Sequence, residues 1–481
     1  GSLASHFWDD FYFSQGYPCV DSKYSLLISK NKKFSYKFSK QDIAPQKSSA
    51  DEFDLYVWKD SNSKSLEYED KMPALADVAN IFYITSIPDW KFISDWYNDI
   101  ASAKARTNYE VNAVIHDLFD GKGNLTDMQK VEKIYNYITS NITYSSVPFR
   151  QSGIIPQNPA DVINTRIGDC KDVSTLFVSM CKEAGIKTQL VLVKTRDNGM
   201  YSMPLPNIDF NHCIAKVKLN NQDYYIELTS QYLPFRAIYA SELNSVLLDI
   251  GGDNVASNIK YLNPGTRKQN NIHRAVNITL SGKDLIIKEN TYKTAALAGN
   301  LRETYMDLST KDQIKKIKEA ITQEYPENEI TELIFNNMAK AGSDTVYMKM
   351  NYELKNSAKQ IAGLSIFSLP WSDKFTPSDF QIILPRVTGI DLSQMFYMDN
   401  ETETITLTLP PGKKMVEGPV PVNISSDIID YSIVPKTIGN KLVLTRTFKV
   451  KKDFVPVEKA AEFNTLFKKM LEADNKEFAM K

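Results

Sequence analysis

The chain has 481 residues, and its 57 lysines and arginines against 58 aspartates and glutamates leave a net charge of −1, so no global field favours nucleic acid or anionic lipid. A length of this order corresponds to about two to four domains, and 42% hydrophobic with 24% charged residues, including 23 Phe and 25 Tyr, argues against disorder as the main state. No run approaches the ~18 consecutive apolar residues of a membrane span; Val78–Ile87 and Gln360–Trp371 are short and interrupted, so no integral membrane segment is expected.

Up to Trp90 the chain reads as strands. Tyr24–Ser29 and Phe34–Phe38 alternate on either side of Asn31, and Asp54–Trp58 follows the polar stretch containing Gln46–Ser49. From Trp90 the apolar period becomes helical: Trp90, Ile93, Trp96 and Tyr97 form one stripe, and Val111, Val114, Ile115 and Leu118 the next. Thr126 with Gln129 gives a capping-box signature, and Met128, Val131, Ile134, Tyr135 and Ile138 carry that helix to Asn141. A loop holding Pro148, Gly153, Pro156 and Pro159 runs to Gly168, Asp169 and Cys170. After it Val173, Leu176, Phe177, Met180 and Cys181 recur at helical spacing, with Gly185 as the C′ residue. Cys170 therefore stands at a helix N-terminus.

A buried strand over Lys187–Val193 comes next, then a loop from Thr195 to Phe210 that serves as a lid, a substrate wall or a tolerated surface insertion. A hairpin over His212–Leu228 turns at Asn220 and Asn221. Past a Pro-Gly segment at 261–267, strands at Ala275–Leu280 and Asp284–Asn290 lead to a helix over Lys311–Glu324 that stops near Pro326. Strands at Thr345–Leu354, Thr402–Leu409, Tyr431–Pro435 and Lys441–Phe448 precede a closing amphipathic helix with Ala460, Phe463, Leu466, Phe467 and Met470.

A thiol at a helix N-terminus meets the positive end of the helix dipole, which stabilises the nucleophilic anion. Cys181 fits the bland alternative of a small buried hydrophobe. Cys170 does not, because Asp169, Lys171 and Asp172 surround it and a loop of glycine and proline delivers it. Among the four histidines, His6 falls at a terminus expected to fray, His116 on a polar helix face and His273 in a basic linker, which leaves His212 as the base. A two-residue turn pairs Leu219 with Gln222, Val217 with Tyr224 and Ile214 with Glu227. His212 and Glu227 then share a face as diagonal neighbours about 7 to 8 Å apart, a gap that a long side chain spans, so Glu227 is placed to orient the imidazole. A three-residue loop would turn it away. The Cys170 N–H supplies one oxyanion donor, and the side-chain amide of Gln157 is the candidate second, beside its plainer reading as a solvated loop residue.

The runs Gly168-Asp169-Cys170-Lys171-Asp172, Phe210-Asn211-His212 and Tyr225-Ile226-Glu227-Leu228-Thr229 closely resemble, in order and spacing, the bacterial transglutaminase-like superfamily, whose core is papain-like. The resemblance covers residues 105–250 and implies an α+β fold: a transglutaminase-like core at 105–262 between an N-terminal β-rich domain at 1–104 and a C-terminal β-rich domain with a terminal helix at 263–481. It implies Cys170 as nucleophile, His212 as general base and acid, and Glu227 as orienting acid, where the commoner family residue is Asp. The implied reaction is acyl transfer on amide bonds of a protein or peptide through a thioester, ending in hydrolysis or in transfer to a lysine amine, with no cofactor. An inactive core retained as a peptide- or glycan-binding module is the alternative. The resemblance further implies a periplasmic or cell-surface location, and Gly1 and Ser2 look like a cloning remnant behind which a signal peptide is presumed removed.

Metal readings fare worse. A zinc set of Cys170, Cys181, Cys213 and His212 lacks ligand spacing, and His212 and Cys213 point to opposite faces of a strand. Asp249, Gly251, Gly252 and Asp253 read as a turn before a calcium loop, and no phosphate loop occurs. Four cysteines without CxxC spacing are too few for a disulfide scaffold.

Overall fold

The computed structural model describes residues 3–106, 108–146, 153–251, 258–262, 268–339, 343–375 and 382–481. The chain divides into two compact units, 1–231 with 241–264 and 232–240 with 265–481. Of the positions singled out from sequence, Pro148, Gly252, Asp253 and part of the Pro-Gly segment lie outside the described residues.

The first unit opens with two small antiparallel sheets. Cys19–Ser29 pairs with Phe53–Ser63, which also holds Gln46–Ala50, while Trp8–Tyr12 and Ser35–Phe38 flank Ile81–Thr85. The two segments on either side of Asn31 thus belong to different sheets. Gln46–Ala50 shows no apolar alternation because every residue of this edge strand is exposed. Cohesion comes from aromatic packing: Phe13, Phe38, Trp58 and Phe82 form a buried cluster, with the Trp58 and Phe82 ring centroids 4.5 Å apart. His6 is not frayed, since its Nδ1 lies 2.9 Å from Ser86 O and its ring meets Phe92 edge-on.

Three capped helices follow: Trp90–Lys104, Tyr109–Phe119 and Asp127–Asn141. Asp89 accepts from Phe92 N at 2.8 Å and Asn108 from Val111 N at 3.0 Å. The Thr126 capping box is complete, with Gln129 N donating to Oγ1 at 3.3 Å and Thr126 N donating to Gln129 Oε1 at 2.9 Å. The sheet of this unit's core runs Gln222–Ile226, His212–Leu219, Thr188–Lys194, Val246–Ile250 and Lys260–Tyr261, antiparallel throughout. Trp90, Ile93 and Tyr97 pack on Leu190, Leu192, Val246 and Leu248, and the helix Cys170–Glu183 packs on Thr188–Lys194 and His212–Leu219. This mixture of helices with an antiparallel sheet is α+β, the class that the family resemblance implies.

In the second unit an eight-stranded sheet runs Asn328–Asn336, Thr345–Leu354, Asp284–Thr294, Asn271–Ser281, Asn400–Thr408, Lys441–Val450, Ile429–Ile438 and Val422–Ser425. Its neighbours are antiparallel except at the centre, where Asn271–Ser281 and Asn400–Thr408 run parallel. The interior face carries charge as well as apolar residues: Arg274 donates to Glu289 and Glu403, and Arg446 to Glu401, Glu403 and Asp474. His273 lies on a strand, stacked on Tyr292 at 4.5 Å, and not in a linker. The helix Ala460–Asp474 is followed by one more strand, Glu477–Met480, paired with Leu364–Ser368. Among the described residues no helix is long and apolar enough to cross a membrane.

Candidate active site

Short backbone contacts fix the start of the helix Cys170–Glu183. Thr143–Tyr144 pairs in parallel with Ile167–Gly168, and Ser145 N donates to Gly168 O at 3.0 Å. Asp169 is the N-cap: Asp172 N donates to Asp169 Oδ1 at 3.3 Å and Asp169 N returns a bond to Asp172 Oδ2 at 3.1 Å. Asp172, only 3% exposed, also accepts from Gln157 N and Gln157 Nε2, each at 2.8 Å. Gln157 therefore braces the loop against the helix start, and its exposed side chain does not line the cleft beside Cys170. This corrects the expectation of an oxyanion donor, because the amide is turned toward a carboxylate that holds it. Cys170 is the first helical residue, so its N–H has no acceptor within the helix.

His212 begins a strand opposite Val193. Asn220 and Asn221 both adopt positive φ, 50° and 64°, which makes the tight turn twisted like its strands, and the pairs Leu219 with Gln222 and Val217 with Tyr224 follow as the spacing demands. Glu227 is consequently turned toward the ring, and His212 Nε2 lies 2.7 Å from Glu227 Oε2. The other carboxylate oxygen accepts from Thr229 N at 2.7 Å and Thr229 Oγ1 at 2.6 Å. With Nε2 engaged, Nδ1 is the ring nitrogen that can serve Cys170, which lines the same cleft. Cys170, His212 and Glu227 thus converge.

Burial works to depress the imidazole pKa, but the nearby Cys170, together with the Nε2–H bond to Glu227 and the Glu227 charge, outweighs it and holds His212 well above its ordinary 6.5. Burial pulls Glu227 upward, yet the His212 charge and the Thr229 donors bring its carboxyl below the usual range. Cys181 and Cys213 are fully buried, which pushes both thiols well up and leaves them neutral, whereas Cys170 is half-buried.

A third carboxyl is present. His212, Glu227 and Glu242 offer ligand-type atoms that all lie within 4.8 Å of one another. Zinc bonds of about 2.0 Å in a tetrahedral shell would hold ligand atoms about 3.3 Å apart. The 2.7 Å between Nε2 and Oε2 is instead the distance of a charge-assisted hydrogen bond.

Trp96, Tyr97, Ile154, Leu192, Ile208 and Phe210 line an apolar cleft that reaches Cys170 and His212. Ile208 and Phe210, at the end of the Thr195–Phe210 loop, form part of the wall of this cleft. Met200 N and Tyr201 N donate to Asp77 at 3.0 and 2.8 Å, and Asn211 Nδ2 donates to Thr195 Oγ1 at 2.7 Å. Gly199, at φ 100°, passes so close to Ala76 that a Cβ would meet that residue's Cβ at 2.7 Å.

The family model of the Transglutaminase-like superfamily matches residues 114–228, the stretch that brings Cys170, His212 and Glu227 together. The chain carries a transglutaminase-like core. A second model, the domain of unknown function DUF3858, matches residues 390–480. A solved structure of a candidate protease from Parabacteroides distasonis is 13% identical, with a TM-score of 0.63 over 100% of this chain and 76% of that one, so the two share a fold. A candidate cysteine protease from Cytophaga hutchinsonii is 14% identical, with a TM-score of 0.23 over 53% of this chain and 88% of that one. No curated protein matches the chain.

Two residues of the transglutaminase-like core escaped sequence reasoning. Tyr144 faces the charges of Cys170, Asp169 and Glu227, and its partial burial first, then those charges, push the phenol up to about 12. Its signal was a lone aromatic in the loop after a helix, indistinguishable from a surface tyrosine. Glu242 lies in a polar stretch that reads as solvated, and only the tertiary fold buries it.

Proposed function

We propose that the chain is a cysteine-dependent acyl-transfer enzyme acting on amide bonds of peptides or proteins, a cysteine-protease-like activity. The observation that carries this reading is the His212 ring, held through Nε2 by Glu227 at 2.7 Å and sharing one apolar cleft with Cys170. A ring whose charged form Glu227 favours is suited to take the proton of the Cys170 thiol. The Cys170 sulfur attacks the amide carbonyl, and the carbonyl oxygen gathers charge against the Cys170 N–H at the helix start. Nδ1–H then protonates the departing amine, leaving a thioester on Cys170. Water, or a lysine amine in its place, attacks the thioester while the ring takes back a proton. Glu227 keeps the ring in its plane throughout.

Iodoacetamide labelling near neutral pH tests the nucleophile. Fast labelling of Cys170 ahead of Cys181 and Cys213, slowed by His212→Ala, is expected; slow labelling indifferent to that change would leave only a binding module. Turnover on a peptide library should fall about 10²- to 10⁴-fold in His212→Ala. Product masses separate the acceptors, a gain of water indicating hydrolysis and a lysine adduct with loss of ammonia indicating transfer.

A further inference from the structure

We propose that Glu242 is a positioning residue for this site: it stays protonated and donates a hydrogen bond to Glu227, so that the orienting acid is a carboxyl pair. The inference rests on the acyl-transfer reading for its catalytic meaning, though not for its chemistry. Glu227 is 1% exposed and Glu242 8%, and one carboxylate oxygen of each lies within 4.8 Å of the other and of a ring nitrogen of His212. Two carboxylates that close and that dry cannot both be charged, so one keeps a proton.

The donors decide which. Glu227 receives the His212 Nε2–H at 2.7 Å and both the N–H and O–H of Thr229, three bonds that each favour its anion. The charged groups acting on Glu242 are Glu227 and His212, and burial followed by the Glu227 charge raises its pKa far above the ordinary carboxyl value. A protonated Glu242 thus gives Glu227 a neutral donor on a further lone pair. That extra tether gives the flexible Glu227 arm one more fixed point, which helps hold the imidazole in a single orientation.

Three variants and three readouts test it. Glu242→Gln keeps a neutral N–H donor of the same length; Glu242→Leu keeps the bulk and removes the donor. The His212-dependent labelling rate of Cys170 should stay within a few-fold of wild type in Glu242→Gln and drop about 10- to 100-fold in Glu242→Leu, the range for losing a partner behind a functional histidine. As pH rises, wild type should show an alkaline transition in the His212 ring resonances, assigned with His212→Ala, that Glu242→Gln lacks. The difference infrared spectrum of wild type minus Glu242→Gln at neutral pH should contain a protonated-carboxyl band. A missing band, or Glu242→Gln falling as far as Glu242→Leu, overturns the proposal. If the band is present while Cys170 labelling ignores His212→Ala, the proton on Glu242 stands and the acyl-transfer reading is what fails.

Discussion

The pair of His212 and Glu227 sets its own pH window. The His212 pKa is raised on folding, so its contribution to stability is present below about 6.5 and fades as pH climbs through the higher folded value; Glu227 is lowered, so its contribution is present above the usual carboxyl range and fades as pH falls. Between those limits the ion pair is intact. Glu227→Gln is therefore expected to cost about 3 kcal/mol or more near pH 6 in urea unfolding, with a smaller difference in acid, and to lower the His212 titration read by NMR. An unchanged His212 titration would mean that the two do not share charge. The placement of Cys170, His212 and Glu227 was legible in the sequence because helical periodicity after Cys170 and a two-residue turn fix it locally. Glu242 was not, because only the tertiary fold buries it, and the bond from Gln157 to Asp172 was not, because the two lie fifteen positions apart.

At the scale of elements the hairpin register carries the site. Val217 opposite Tyr224 and Ala215 opposite Ile226 leave no freedom in which face Glu227 takes. Inserting one glycine between Asn220 and Asn221 should convert the turn to a three-residue loop, remove the carboxylate from the ring and abolish His212-dependent labelling, with little change in far-UV circular dichroism. Retained labelling would show that the register is set elsewhere, by the pairing of His212–Leu219 with Thr188–Lys194. Amphipathic elements such as Asp127–Asn141 and Cys170–Glu183 announce themselves through caps and period. Gln46–Ala50 has no buried face to pattern, and Ala296–Tyr305 has neither a side-chain cap nor a polar start, so both were silent.

For the molecule as a whole, the interior of the second unit is an electrostatic liability as well as a core. Two arginines serve Glu289, Glu401, Glu403 and Asp474, and the shortfall falls partly on Glu401, whose carboxyl is pushed up to about 7 by burial against the pull of Arg446. Because the folded pKa is the higher one, the folded state binds the proton more tightly, so this group's contribution is full in acid and is lost as pH rises from about 4.3 to 7. Glu401→Gln should thus gain up to about 3 kcal/mol on wild type at pH 8 and little at pH 4.5, measured by chemical unfolding at both pH values. Equal differences at the two would place the excess proton elsewhere.

The parallel seam at the centre of the eight-stranded sheet also constrains how the protein can be made. Asn271 pairs with Asn400, so once Asn271 is made the inner edge of the strand Asn271–Ser281 must wait for 129 further residues. At about 5–20 residues per second that is roughly 6 to 26 s on the ribosome with an unpaired, β-branched edge open to other nascent chains. Slowing elongation across 282–399 should therefore lower soluble yield, and a holdase that shields strand edges should restore it.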